Sequence, residues 1–516
     1  MTIYAHRQDN IASMGGSRTA ESMEVAAREW QSRFLNKYIG LEIPRGTLEA
    51  GTGAGKTRAA IMCMYAWYHQ HPDGVVVFYI PAHLMPQTTS VMRSWMLSYA
   101  RFGGGYKEAV KGKKVYIVSY TSIHTFKAAN VIEGRHSMFI MDECHRVAAK
   151  QTMKHFNEEF QGDACLMLSA TPTRSDGIQP MTILNAPIIF DLPLIEGIKQ
   201  SRTESDSLDF TFHIVYVQPE QEELMWLAEF SEAITVAYHK AYKLCKEDTG
   251  GVHWNLFHRN NTAGYFPSGG KTYVEWETAE AVMIWQGMCR KRKRFENELQ
   301  CRRDAVKKII QENIGKKLAV FSQDIFSVEA LNQMVMDEGL YPRIYHSGSK
   351  LTPEQALAYP EYATDEFTNR LTNLARNSKR ELSRWVQSSS DILLTCQALQ
   401  EGFDVPDMDG LIMTSGANSI RSRIQTMGRV FRGMKHKDIW MIVLPAFDGD
   451  RVSGDERVLN KLIEKAGIPQ ENIKHHNANV WNEYYDSIPQ EEEEDNPFAG
   501  MVIINSIDND LEEGTI

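Results

Sequence analysis

Hydrophobic and polar positions along the chain form two stretches of strand–helix alternation, separated by a stretch with a different rhythm. From about residue 21 to residue 194 short β-rich runs alternate with helical ones, and Val75–Ile80, Lys114–Ser119, Met138–Met141 and Ala164–Leu168 read as strands. Such alternation predicts a parallel sheet with helices on both faces. Between about 205 and 312 the rhythm breaks. Leu227, Phe230, Ile234 and Ala237 recur at helical spacing, a polar Gly/Asn-rich loop covers about 248 to 270, and a long helical run goes from about Thr278 to Asn313. Alternation resumes through Leu318–Phe321, Arg343–His346, Asp391–Thr395, Gly410–Met413 and Asp438–Leu444, which predicts a second α/β domain.

The pattern divides the chain into a loose polar arm (1–20), a first α/β domain (21–204), a mainly helical insertion (205–312), a second α/β domain (313–450), a helical extension (451–489) and an acidic tail (490–516). With 516 residues, more than one core is required. No apolar stretch is long enough to span a bilayer, and the first residues carry no basic-then-apolar pattern of a secretory signal. The seven cysteines contain no C-x-x-C pair, which argues against a disulfide framework or zinc ribbon and for a reducing, cytoplasmic setting. Net charge is −10, part of it in the run Glu491–Asp495. Binding of a polyanion depends on local patches, so this total neither supports nor excludes a nucleic-acid partner.

The chemistry begins with Ala50-Gly51-Thr52-Gly53-Ala54-Gly55-Lys56-Thr57. Small residues at this spacing let the backbone wrap a phosphate chain, with successive N–H groups and the start of the next helix facing the charge. Lys56 is placed to reach the β- and γ-phosphates of ATP, and the Thr57 hydroxyl to ligate Mg²⁺. A plain Gly-rich turn is the alternative, but a helical run from Arg58 to Trp67 follows as the loop requires. Ser268-Gly-Gly-Lys271-Thr272 also ends in G-K-T, yet Tyr265 stands where a small residue is needed, so it reads as a surface turn.

Downstream, the apolar run Phe139-Ile-Met ends in Asp142 and Glu143. Adjacent acids at a strand end are often merely solvated. After a phosphate loop they fit a magnesium-dependent phosphoryl-transfer site, with Asp142 positioning the metal and Glu143 orienting and deprotonating the attacking water. Asp142-Glu143-Cys144-His145 resembles the D-E-x-H box of superfamily 2 helicases, and Ser169-Ala170-Thr171 resembles their S-A-T motif. The resemblance implies that Ser169–Thr171 link hydrolysis to the strand-binding face. It also implies that Gln31, within Arg28-Glu-Trp-Gln31, reads adenine, and that Pro81, Gln87 and the run Ser119-Tyr120-Thr121-Ser122 contact a nucleic-acid backbone.

Phosphate loops and acidic strand ends also occur in kinases, transporters and switch GTPases, so the second half of the chain decides between them. Thr395-Cys-Gln-Ala-Leu-Gln-Glu401-Gly402-Phe-Asp404-Val-Pro406 resembles the family's fifth motif, and Gln425-Thr-Met-Gly428-Arg429-Val-Phe-Arg432 its sixth. On that resemblance Thr395 and Gln425 couple the strand to the nucleotide, and Gly402 and Asp404 approach the nucleotide. Arginines three apart share a helix face, so Arg429 and Arg432 can address one γ-phosphate across a cleft. Such a guanidinium is worth roughly 10³–10⁵ in rate in comparable enzymes. The implied fold is α/β, with two tandem RecA-like parallel-sheet domains and a mainly helical insertion.

The insertion carries Arg290, Lys291, Arg292, Lys293, Arg294, Arg302, Arg303, Lys307, Lys308, Lys316 and Lys317 against few acids. This run either tracks phosphates or is a solvated helix face. Trp254, Phe257, Tyr265 and Phe266 in the polar loop either stack on bases or pack locally. A long insertion resembles the XPB-like, fork-remodelling and restriction-motor branch, which favours DNA over RNA as partner and leaves protein partners to the insertion or acidic tail. No second catalytic centre stands out, so any cleavage must come from a partner. The expectation is a DNA-dependent ATPase using ATP and Mg²⁺. The rivals are an RNA-dependent remodeller and a non-hydrolysing ATP-gated clamp.

Overall fold

A computed structural model of the chain describes residues 27–95, 97–108, 112–148, 152, 156, 162–172, 180–200, 202, 208–249, 276–322, 324–346, 364–396, 408–414, 420–431, 435–445 and 454–477. The first lobe comprises α1 (Glu29–Ile39), β1 (Arg45–Ala50), α2 (Lys56–Gln70), β2 (Val75–Ile80), α3 (Met85–Ser94), β3 (Tyr99–Gly103), β4 (Tyr106–Lys107), β5 (Val115–Ser119), α4 (Ala129–Ile132), β6 (Ser137–Asp142), β7 (Ala164–Ser169), α5 (Pro180–Ile183), β8 (Ile188–Leu192) and α6 (Leu194–Lys199). Its strands lie in the order β4-β3-β5-β2-β6-β7-β1-β8, parallel except for the β3–β4 pair.

All six residues of β2 are buried. A strand at the centre of a parallel sheet has both faces covered and therefore reads as an unbroken apolar run. Val76, Phe78 and Ile80 join a core with Trp30 and Phe34 of α1 and with α2. The alternate residues Val75, Val77 and Tyr79 join the opposite core with Phe126 and Val131.

The second lobe is built from β9 (Phe210–Tyr216), α7 (Gln221–Thr249), α8 (Trp276–Glu298), α9 (Gln300–Glu312), β10 (Leu318–Ser322), α10 (Ile325–Asp337), β11 (Arg343–Tyr345), α11 (Asp365–Gln387), β12 (Ile392–Cys396), β13 (Gly410–Met413), α12 (Ile420–Val430), β14 (Lys437–Val443), α13 (Gly454–Ala466) and β15 (Ile473–Asn477). The strand order is β11-β12-β10-β13-β14-β9-β15, with every described pairing parallel. Two tandem parallel-sheet α/β lobes are thus the architecture, as in RecA-like helicase folds.

The second sheet departs from the expected division in two strands. β9 comes from the segment read as a helical insertion and β15 from the one read as a helical extension, yet β9 pairs with β14 along seven residues and β15 with β9. The insertion proper is the helix pair α7 and α8. Its seam joins Ile234, Ala237, Ala241 and Cys245 to Ala281, Val282 and Trp285. The helical run expected from Thr278 to Asn313 breaks at Leu299, whose backbone is extended (φ −52°, ψ 134°) and whose side chain enters the second lobe's core.

The basic run is also reassigned in part. Arg302 is buried and reaches the carbonyls of Thr414 and Ile442 at 3.1 and 3.3 Å and Asp455 at 2.6 Å. Lys317 is buried, donates to the Val386 carbonyl at 2.7 Å and lies over Trp385. Arg292 and Arg294 pair with Glu296 and Glu298, Lys307 with Glu338, and Lys316 with Asp438. These six side chains hold the protein together, while Arg290, Lys291 and Lys308 are exposed. The aromatic residues Trp254, Phe257, Tyr265 and Phe266, the G-K-T turn at 268–272, the arm 1–20 and the acidic tail lie outside the described residues. Among the described residues no helix is long and apolar enough to cross a membrane.

Candidate nucleotide and nucleic-acid site

Ligand sites on parallel sheets form beyond the carboxyl ends of the strands, because the loops there all emerge on one rim. The first lobe follows this rule. In sheet order, β5 delivers Thr121, β2 delivers Pro81, β6 delivers Asp142 and Glu143, β7 delivers Ser169–Thr171, and β1 delivers the phosphate loop. Residues far apart in the chain therefore share one edge.

The phosphate loop runs from β1 into α2, with Gly53 at φ 81° and Gly55 at φ 99°. Both angles belong to the left-handed region that glycine alone enters freely, so the loop can turn its N–H groups inward. Lys56 is buried, and its Nζ donates to the carbonyls of Ala50 at 2.9 Å and Gly51 at 3.3 Å, folded back over the loop. Thr57 opens the helix beside it. Gln31 is fully buried and spends its amide on the protein: its Oε1 accepts from Arg28 N at 3.1 Å and its Nε2 donates to Gly55 O at 3.1 Å. Arg28 donates to the Ala54 carbonyl. In this arrangement the Arg28–Gln31 element braces the loop from outside.

Asp142 is buried at the end of β6, and its Oδ1 accepts from the N–H of Glu143 at 3.0 Å. Burial and the adjacent Glu143 carboxylate push the Asp142 carboxyl up to about 7, against the pull of nearby Lys56. A buried carboxylate short of positive charge suits a hydrated divalent cation. Its oxygens and the Thr57 hydroxyl are hard-oxygen donors of the kind magnesium prefers. Glu143 has a left-handed backbone (φ 52°), a conformation non-glycine residues hold only where surroundings enforce it. Its Oε2 lies 3.5 Å from His145 Nδ1 and accepts a long bond, 3.4 Å, from Gln425 Nε2 of the second lobe.

Contacts that no motif spells out complete the rim. The Tyr120 hydroxyl donates to the Asp142 carbonyl at 2.9 Å, joining the Thr121 segment directly to the acidic strand end. Beneath the phosphate loop, a Cβ added at Gly51 would come within 2.6 Å of Leu194 in α6, and one at Gly197 within 3.0 Å of Ala54. No motif marks either contact, because each depends on which helix the fold stacks under the loop.

The second lobe meets this rim through α12. Gln425 and Arg429 are four apart and share one helix face. The carbonyl of Gln425 accepts from Thr52 Oγ1 at 3.3 Å, and Gly428 approaches so closely that a Cβ there would lie 2.0 Å from the same hydroxyl. Arg429, one residue further on, is buried. The region near residue 430 and the loop near residue 56 are therefore opposite walls of one cleft. Arg432, Gly402 and Asp404 lie outside the described residues.

The remaining predicted positions divide. Ser169 is buried and accepts from Thr171 N at 3.1 Å, while Ala170 packs into the second lobe's core cluster, so this motif bridges the lobes. Pro81 is buried, whereas Gln87 and Thr121 are exposed on the rim. Thr395 is fully buried at the end of β12, where its hydroxyl lies 3.5 Å from the Cys396 carbonyl, away from the surface.

Comparison with known proteins matches residues 24–174 to the family model described as type III restriction enzyme, res subunit, and residues 301–434 to the helicase conserved C-terminal domain. Together these cover more than half of the chain. An uncharacterized protein of Mycobacterium leprae is 27% identical over 34% of this chain and 32% of its own length, so the chain spans about a third of that relative. A DNA 3'-5' translocase, XPB2, of Sulfurisphaera tokodaii is 20% identical over 81% of each chain. Among solved structures, S. cerevisiae Dbp5 bound to RNA and ADP BeF3 aligns over 93% of this chain and 95% of its own, with 13% identity and a TM-score of 0.47. With its two family-model matches lying in order on two RecA-like lobes, the chain belongs to the superfamily 2 helicases.

Proposed function

We propose that this chain hydrolyses ATP with Mg²⁺ in the cleft between its lobes and uses the cycle of closure and opening to move on, unwind or remodel DNA. The observation that carries this reading is the docking of α12 on the phosphate loop, with Gly428 against Thr52 and Gln425 reaching Glu143. A helix from one lobe seated on the nucleotide loop of the other makes hydrolysis and lobe movement one event.

In this mechanism Lys56 exchanges the carbonyls of Ala50 and Gly51 for phosphate oxygens, and the N–H groups of Gly51–Thr57 cradle the phosphate chain. Thr57 and Asp142 would hold the metal, and magnesium bound there would supply charge neutralisation on the phosphate oxygens. Glu143 orients a water molecule and takes its proton as the water oxygen attacks the γ-phosphorus and the bond to ADP breaks. Arg429, with Arg432, stabilises the charge that develops on the transferred group. Gly402 and Asp404 complete the nucleotide contacts, while Gln31, its amide held by Arg28 and Gly55, steadies the phosphate loop instead of reading the base. Gln87 and Thr121 face the strand, Pro81 and Thr395 are buried and support the rim rather than touching the strand, and Ser169–Thr171 with Gln425 relay closure to it. DNA is favoured over RNA because the translocase similar to this chain over 81% of both lengths is a DNA translocase.

The test is ATP turnover measured with single-stranded, double-stranded and forked DNA and with RNA. Stimulation by DNA well above that by RNA is the expected result. Stimulation by RNA alone would reassign the substrate, and turnover equal to that of a Glu143→Gln variant with every nucleic acid would favour a clamp that binds without hydrolysing.

A further inference from the structure

The second lobe also touches β1, the strand that leads into the nucleotide loop. Glu49 is the penultimate residue of β1, just before Ala50, whose carbonyl holds Lys56. In the sheet it stands between Ser169 of β7 and Asp191 of β8. It is a buried carboxylate, 5% exposed, with another carboxylate beside it. Its cation comes from the other lobe: Lys465 Nζ, in the last turn of α13, lies 3.2 Å from Glu49 Oε1.

The helix that brings Lys465 is firmly placed. Leu459, Leu462 and Ala466 of α13 pack in one core cluster with Leu194, Ile195 and Ile198 of α6, the helix under the phosphate loop. Lys465 lies beyond the segment matched by the helicase C-terminal model, which ends at residue 434. Burial and Asp191 drive the Glu49 carboxyl up, and Lys465 draws it back. A buried carboxylate without its partner is costly, so Glu49 favours the arrangement that keeps Lys465 in reach.

We propose that Lys465 is a positioning residue for ATP hydrolysis, supplied by the second lobe to fix the strand that carries the phosphate loop when the lobes are closed. This rests on reading the lobes as an ATP-driven motor. The pair makes the strand end at Glu49 and Ala50 sensitive to the other lobe, so that closure at α12 on one side of the loop is matched by charge neutralisation on the other.

The experiment is a double-mutant cycle on the full chain with Lys465→Met, Glu49→Gln and both together. Nucleic-acid-stimulated kcat and MgATP affinity without nucleic acid are measured, and Lys465→Arg serves as the conservative variant. Lys465→Met should lower kcat about tenfold while changing MgATP affinity less than about threefold, because the loop that binds phosphate is intact and the loss falls on closure. Lys465→Arg should keep the wild-type kcat within about threefold. Glu49→Gln needs no cation, so the double variant should recover to within about threefold of Glu49→Gln alone. Wild-type kcat in Lys465→Met, or effects that simply multiply in the double variant, would overturn the proposal. Absence of turnover in the wild-type chain would instead overturn the motor reading on which it rests.

Discussion

At the scale of single residues, charge burial separates functional from structural side chains. Asp142 is buried with a second carboxylate as its covalent neighbour and Lys56 as its counter-charge, an arrangement that a stable core would avoid and that the proposed cation site would use. Arg302 is the converse. It belongs to the most basic stretch of the chain, yet every described contact is internal, and the Oδ2 of Asp455 that receives it at 2.6 Å also accepts from Leu444 N at 3.0 Å. Removing one partner of such a pair leaves the other buried and uncompensated. Arg302→Met should therefore cost about 3–5 kcal/mol of second-lobe stability in urea unfolding, well beyond the loss of a solvated arginine. A change under about 0.5 kcal/mol would return Arg302 to the surface-charge reading.

At the scale of elements, legibility followed local pattern. β2, β6 and β7 were readable because both faces are buried and their apolar runs are continuous. β1, with Thr47 and Glu49 inside it, has no such run, and its pairing with β7 and β8 supplies what its composition lacks. β15, Ile-Lys-His-His-Asn, was invisible as a strand for the same reason. It is held partly by side chains: His476 Nε2 lies 2.7 Å from His213 Nδ1, whose Nε2 meets Asp438 at 3.0 Å, and Asp438 also pairs with Lys316 and His436. Burial, then nearby His213, Lys474 and His475, lower the His476 imidazole despite Glu312, so the folded state prefers it neutral. The unfolded chain then binds more protons over that range, and stability present above the ordinary histidine value of about 6.5 is lost as pH falls below it. Hydrogen exchange in residues 473–477 should accelerate between about pH 7.5 and 5.5 relative to β14, and His476→Gln should flatten that dependence. Equal acceleration in the variant would place the sensitivity elsewhere.

At the scale of the whole molecule, the motifs could be picked out by spacing, because phosphate-binding chemistry calls for fixed residue types at fixed intervals. What the motifs could not show is the fit between lobes. Ala170 enters the second lobe's core, α6 lies beneath the loop, Tyr120 ties the Thr121 rim to Asp142, and Gly428 leaves room for Thr52. These contacts arise from the stacking of distant segments, and they join the two lobes along one cleft. The central claim is that Arg429 acts across that cleft on a triphosphate held by Lys56, and single-turnover hydrolysis in Arg429→Ala, with MgATP affinity measured in parallel, tests it most directly. Hydrolysis should fall by about 10³-fold or more while affinity stays within about threefold. Hydrolysis at the wild-type rate would contradict the account.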